Sequence, residues 1–298
     1  MLLQMTTVRN LSGCVSFWGR YMTVVDRLSL LATLDRYVRA QSQGGDLNQI
    51  LSTRARATEN GRDVGTDHPL RRGISPTSYQ LQFADEATGQ VGCHATFQEG
   101  DATGIYGLRI KVEPDGRISE LESTIARKGD SNAFAVHRLA NPDPLFDRIE
   151  PTHFSREKLI EIAGAYFDAV EASDGTNAPI ADRCTRIENG MLTTNNPRIG
   201  LPWGCREGMK IFSYLERARD RRYPLVDEQR GLIWAIAAFD VPPGRVLSLL
   251  VDGKQVDRPQ DERSIFLMEL FKVVDGEIVA IDVVVRNMPA GASLGWSS

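Results

Sequence analysis

Three ionisable side chains near the C-terminal end of the chain stand among residues that should be buried. Glu269 alternates with Ile265, Leu267 and Phe271, so the four share one face of an extended strand. Asp282 and Arg286 share a face of the next apolar strand with Ala280 and Val284. An acid on an apolar face either lines a pocket or pairs with a cation, because burying it alone is too costly. Two outcomes stay open: a Glu269–Arg286 ion pair across adjacent strands, or a pair that grips a substrate. Glu188 ends an earlier strand, and Asn189 beside it can hydrogen-bond but not remove a proton. A carboxyl in an apolar pocket has its pKa raised by desolvation, which suits proton transfer near neutral pH. The candidate catalytic residues are Glu188, Asn189, Tyr223 and Arg286; the candidate substrate contacts are Trp203, Trp234, Glu269 and Asp282. Trp234 and His94, on inner strands, also read as plain core or interface.

Other chemistries lack their residues. No G-x-x-x-x-G-K-[ST], no strand-linked G-x-G-x-x-G, no G-x-S-x-G and no H-E-x-x-H occurs. Cys14, Cys93, Cys184 and Cys205 form no C-x-x-C, and the four histidines are scattered. The expectation is therefore no metal and no cofactor.

The elements that position these residues are written twice. Glu59-Asn60-Gly61 returns as Glu188-Asn189-Gly190, 129 residues on, with Leu30, Tyr37 and Arg54 answered by Leu159, Tyr166 and Arg183. Asp85-Glu86-x-x-Gly89 returns as Asp227-Glu228-x-x-Gly231, 142 residues on, and reads as a hairpin turn with a structural role. Lys111 and Asp115-Gly116-x-Ile118 return as Lys272 and Asp275-Gly276-x-Ile278. Three blocks in one order with growing offsets mean a duplicated unit whose second copy carries insertions. Each copy opens on helical spacing, ended by Gly44-Gly45 or Gly175, and continues into hairpins such as Tyr223–Asp227 with Leu232–Phe239. Helices first and antiparallel strands afterwards predict α+β halves, with helices on one face of a curved antiparallel sheet. The insertion Asn195–Gly208 is the main difference between copies, and Glu269 and Arg286 correspond to about Leu108 and Ala126. The polar set therefore belongs to the second copy, where any reactive pocket is expected.

The expected boundaries are a leader over 1–25, disordered or lying before the true start; a first domain over 26–127; a linker over 128–154; and a second domain over 155–298. A net charge of −4 on 298 residues argues against a nucleic-acid surface. The cluster Arg219, Arg221, Arg222 reads as a cationic helix end. No apolar run approaches the ~20 residues that cross a bilayer.

The segment Ile180-Ala181-Asp182-x-Cys184-x-Arg186-Ile187-Glu188-Asn189-Gly190, preceded by a helix and followed by four long strands, resembles the nuclear-transport-factor-2-like superfamily. That group includes SnoaL-like cyclases, ketosteroid isomerase and scytalone dehydratase. The tandem copies, with Arg221-Arg222-Tyr223-Pro224-x-Val226-Asp227-Glu228, Glu269-Leu270-Phe271-Lys272 and Arg286-Asn287-Met288-Pro289-x-Gly291, further resemble a bacterial and fungal family of unknown function, over about residues 25–298. The resemblance implies two cone-shaped domains packed sheet to sheet as an intrachain pseudo-dimer, monomeric or further oligomerised. It implies a cofactor-independent lyase or isomerase acting on a small hydrophobic molecule, aromatic ones included. Dehydration, retro-aldol loss of formaldehyde and double-bond migration all fit. Glu188, near the place of the ketosteroid-isomerase-like carboxylate base, takes the proton; a one-residue shift in register puts Asn189 there. Arg286, Tyr223 or Asn189 stabilises the oxyanion. The alternative is a binding protein without chemistry, whose carboxylates would all be ion-paired. Cys184, on the strand into Glu-Asn-Gly, and Cys205, in an insertion returning across the cone mouth, are a candidate disulfide, supported by cysteines at similar places in relatives. Against the bond stand Cys14 and Cys93 and the lack of an export signal, so the cytoplasm is the default location.

Overall fold

The computed structural model describes residues 25–66 and 75–296. Cys14, His68 and all of the expected leader but Val25 lie outside them.

Each half opens on an amphipathic helix, α1 (Arg27–Gln43) or α2 (Arg156–Ala172). Asp26 and Ser155 cap them, their side chains accepting from the backbone N–H of Ser29 and Lys158. α1 ends on Gly44 in the left-handed region, whereas α2 ends on Ser173 and not on the expected Gly175.

The first half continues through β1 (Leu51–Glu59), β2 (Arg62–Val64), β3 (Ser75–Asp85), β4 (Gln90–Glu99), β5 (Ala102–Val112) and β6 (Ile118–Ala126). The second runs through β7 (Ile180–Glu188), β8 (Met191–Leu192), β9 (Arg217–Asp227), β10 (Leu232–Val241), β11 (Val246–Val251), β12 (Lys254–Pro259), β13 (Arg263–Val274) and β14 (Glu277–Met288). The sheet orders are β2-β1-β6-β5-β4-β3 and β8-β7-β14-β13-β10-β9, the same topology twice, with β11 and β12 forming a separate hairpin. The chain is thus α+β, with two six-stranded curved sheets. The sheets are mixed and not antiparallel as expected, because β1 runs parallel to β6 and β7 parallel to β14. Alternation along a strand reports its buried face but not its direction against a neighbour far along the chain. Register shifts in the β1–β6, β7–β14 and β9–β10 pairings mark the bulges that bend the sheets. Arg219, Arg221 and Arg222 lie on β9, which corrects the helix-end reading.

Each helix buries its apolar stripe in the concave face of its own sheet, through Leu30, Leu34 and Tyr37 in one half and Leu159, Ile162, Tyr166 and Phe167 in the other. The other faces pack sheet on sheet around Phe83, Trp234, Phe266 and Met268. Covered on both sides, β10 is buried along its whole length. Approach is so close at Gly92 that a side-chain carbon there would stand 2.6 Å from the Phe83 ring and 2.8 Å from the Trp234 ring.

A polar chain crosses this apolar interface. Trp234 Nε1 donates to His94 Nε2 at 2.9 Å, His94 Nδ1 stands 2.5 Å from Asp282 Oδ1, and the Tyr79 hydroxyl donates to Asp282 Oδ2 at 3.0 Å. An indole N–H can only donate, so Nε2 accepts and the imidazole proton sits on Nδ1, directed at Asp282. Two residues from each half thereby satisfy four buried polar groups. No described helix is long and apolar enough to cross a membrane.

Candidate functional site

The concave face of the second sheet does not close on its helix. A cavity of about 390 Å3 lies there, whereas the one noted against α1 in the first half is about 30 Å3. The larger volume falls within the usual range of small-molecule sites, and the smaller holds about one water.

Two segments without counterparts in the first half form its mouth. One is the Asn195–Gly208 insertion, continuing into a 3-10 helix over Glu207–Tyr214 that brings Ile211, Phe212 and Tyr214 to the wall. The other is the β11–β12 hairpin, which contributes Leu247, Leu249 and Arg258. The two segments meet at Gly200, whose carbonyl accepts from the Leu250 N–H at 2.9 Å and where an added side-chain carbon would stand 2.9 Å from Leu249. Only the first segment stands out in the sequence as an insertion. The signal for the second was the rise in offset from 142 at Asp227 to 161 at Lys272.

Cys184 and Cys205 are disulfide-bonded, with Cα atoms 5.7 Å apart. The bond ties the first insertion to β7, the strand that carries the charged floor.

That floor joins four elements. Arg186 and Glu188, two apart on β7, face the same way, and Arg186 Nε lies 2.9 Å from Glu188 Oε1. Arg186 Nε also donates to Thr193 Oγ1 at 3.1 Å, its Nη1 to the Tyr166 hydroxyl at 3.4 Å, and its guanidinium stacks 4.8 Å from the Phe212 ring. The Thr193 hydroxyl lies 3.0 Å from Glu188 Oε1. Burial opposes the charge of Arg186, but Tyr166 and Glu188 outweigh it and the net shift is upward. Glu269, from β13, is only 2% exposed. Desolvation pushes its carboxyl up to about 8 against the pull of Arg186 and a hydrogen bond with Tyr166, and Glu188 adds to the rise. Among the described residues no cation lies within ion-pairing distance of Glu269, whereas Glu188 is paired. Burial, with Glu188 nearby, pushes Tyr214 up to about 12, and burial with Glu269 beside it raises Tyr166 well above its usual value. Among the described residues no cluster of three or more His, Cys, Asp or Glu could hold a metal ion.

Of the eight candidate residues, Glu188 and Glu269 line the cavity and six do not. Asn189 is fully buried, with Nδ2 donating to the carbonyls of Ala133 and Val285 and Oδ1 accepting from the Val285 N–H. Asn60 Oδ1 likewise accepts from the Ile125 N–H in the first half, so the repeated Asn fastens the last strand of each half. Arg286 cannot meet Glu269. The β13–β14 register sets Glu269 opposite Val283 and Phe266 opposite Arg286, which puts the two on opposite faces. Arg286 binds Asp130 and the Ile125 carbonyl instead. Asp282 and Trp234 belong to the interface chain described above. Its counterpart Glu122 is also a buried acid, paired with Arg109 and Arg222, so this part of the polar set is not confined to the second copy. Tyr223 packs beside Phe167, and Trp203 packs within the insertion under Lys210.

Arg186, Tyr166, Thr193 and Tyr214 were missed. Arg186 and Glu188 at i, i+2 on one strand were the available signal, whereas nothing in the sequence marks Tyr214. In the first half Ala57 and Leu108 stand where Arg186 and Glu269 are, so that half keeps an acid, Glu59, at the place of Glu188 but neither the guanidinium nor the second carboxyl.

Residues 152–285 match the sequence model of a family described as a domain of unknown function, DUF8021. No curated protein matches the chain. Among solved structures, the chain is similar to the crystal structure of a de novo designed protein with a curved β-sheet. The two are 13% identical, the match covers 45% of this chain and 88% of that one, and the TM-score is 0.25.

Proposed function

We propose that the second half is a cofactor-independent lyase or isomerase that moves a proton on a small hydrophobic molecule. The observation that carries this reading is Glu269, a buried carboxyl with no cation in ion-pairing distance among the described residues, beside a carboxylate that has one. A binding protein has no need of an uncompensated acid in its pocket, whereas a general base works best when its pKa lies near the operating pH. Glu269 takes the proton, which moves that role from Glu188. Glu188 holds Arg186 in place, and Arg186 with Tyr214 stabilises the negative charge that develops on the substrate oxygen. Each half, helix then β2-β1-β6-β5-β4-β3, is taken as a nuclear-transport-factor-2-like cone, the first serving as support. The Cys184–Cys205 bond suits an oxidising compartment better than the cytoplasm.

Hydrogen–deuterium exchange tests the chemistry without a known product. A panel of hydrophobic ketones and β-hydroxy ketones in D2O is followed by proton NMR. The wild type should exchange the C–H next to the carbonyl of at least one member, with the rate rising through pH of about 8. Glu269→Gln should reduce exchange roughly 100-fold or more. Tight binding of a panel member without exchange would point instead to a binding protein.

A further inference from the structure

We infer that the ligand of this cavity is an anion: a hydrophobic molecule carrying a carboxylate, which the arginines at the mouth receive while its apolar body fills the interior. The inference rests on reading this cavity as the ligand site, but not on any acid–base step.

Beyond the floor, the cavity is lined by Arg198, Arg258 and Arg263. Arg198 lies in the first insertion, Arg258 on the β11–β12 hairpin, and Arg263 where β13 leaves that hairpin. Among the described residues none of the three pairs with a carboxylate. This is unusual in a chain of net charge −4, where most buried or half-buried arginines, such as Arg109, Arg186 and Arg219, are so paired. Arg263 is half-buried and held only by neutral acceptors: Asn287 Oδ1 at 3.2 Å, Gln260 Oε1 at 2.7 Å and the Asp261 carbonyl at 2.8 Å. These amides fix the guanidinium and leave its charge uncancelled. Glu188 already neutralises Arg186 at the other end. The lining thus carries a surplus of positive charge at one end, over walls of Leu247, Leu249, Ile265 and Val283. A neutral ligand would leave that charge unanswered, whereas a carboxylate meets a guanidinium in bidentate geometry. The first half lacks both insertions and carries Ala102 at the place of Arg263, so it has no counterpart of these three cations.

The test compares 4-phenylbutyrate with its neutral amide, 4-phenylbutanamide, by isothermal titration calorimetry. The wild type should bind the carboxylate at least tenfold more tightly than the amide. The ratio should collapse towards one in Arg263→Gln and survive in part in Arg263→Lys. Because Arg263→Gln gives up three hydrogen bonds and could disturb the fold, Arg198→Gln/Arg258→Gln is the second variant. Both of its sites are exposed, and the carboxylate preference should fall several-fold there with the unfolding midpoint unchanged. Amide binding as tight as the carboxylate, a preference unmoved by all of these variants, or no binding of either compound would overturn the inference. Exchange on neutral ketones that is lost in Glu269→Gln would still stand if the anion preference were absent, so the two readings fail separately.

Discussion

Arg156, the first residue of α2, reaches across the molecule to Asp85 on the hairpin turn of the other half, and Arg27, first in α1, reaches Asp227 in return. Both carboxylates are almost fully buried, and Glu86 and Glu228 accept from the backbone N–H of Arg27 and Arg156. The repeated Asp-Glu is therefore half of a reciprocal clamp, which explains why both copies keep it. Removing one guanidinium strands a buried carboxylate. Arg156→Ala should cost about 3 kcal/mol in denaturant unfolding. A loss below roughly 0.5 kcal/mol, typical of a surface pair, would refute the clamp.

Glu269 makes stability depend on pH. Its ordinary value of 4.5 applies when the chain is unfolded, and about 8 when it is folded. Below the lower value the group is neutral in both states. As pH rises between the two, the unfolded chain releases the proton that the folded one retains, so stability falls, and the full penalty is reached above about 8. The shift corresponds to a loss of order 3–5 kcal/mol. Unfolding midpoints at pH 5 and pH 9 should converge in Glu269→Gln relative to wild type; an unchanged difference would remove Glu269 as its source.

Asn189 should behave as a structural residue. Asn189→Ala leaves the Val285 N–H and the Val285 and Ala133 carbonyls without their partner and should destabilise by about 2–3 kcal/mol. Any exchange activity, measured below the shifted unfolding transition, should change less than threefold. A stable but inactive variant would return Asn189 to the chemistry.

The disulfide closes a sequence separation of 21 residues and stabilises by about 3 kcal/mol on the chain-entropy model. Cys184→Ser/Cys205→Ser should unfold earlier by that amount and bind pocket ligands more weakly, because the first insertion is then untied from β7. Alkylation without reductant should leave Cys184 and Cys205 unmodified, and prior reduction should add two alkyl groups to the intact mass. Identical masses with and without reductant would rule the bond out.

Much of the architecture was legible in the sequence because duplication and side-chain periodicity are local records. The offsets of Glu188, Asp227 and Lys272 from Glu59, Asp85 and Lys111 gave two copies of one unit, and alternation around Glu269 gave the face on which it lies. Tertiary structure decided what those residues meet. A strand's alternation says which residues share its face but not how the neighbouring strand is registered, so Glu269 and Arg286 could be expected to meet until pairing with Val283 and Phe266 put them on opposite sides of the sheet. The direction of β7 against β14, the meeting of two separate insertions at Gly200, and the pairing that gives Glu188 a cation while Glu269 has none among the described residues all depend on segments far apart in the chain. A carboxyl's pKa is set by what surrounds it in space, and that is fixed only when the chain closes around it.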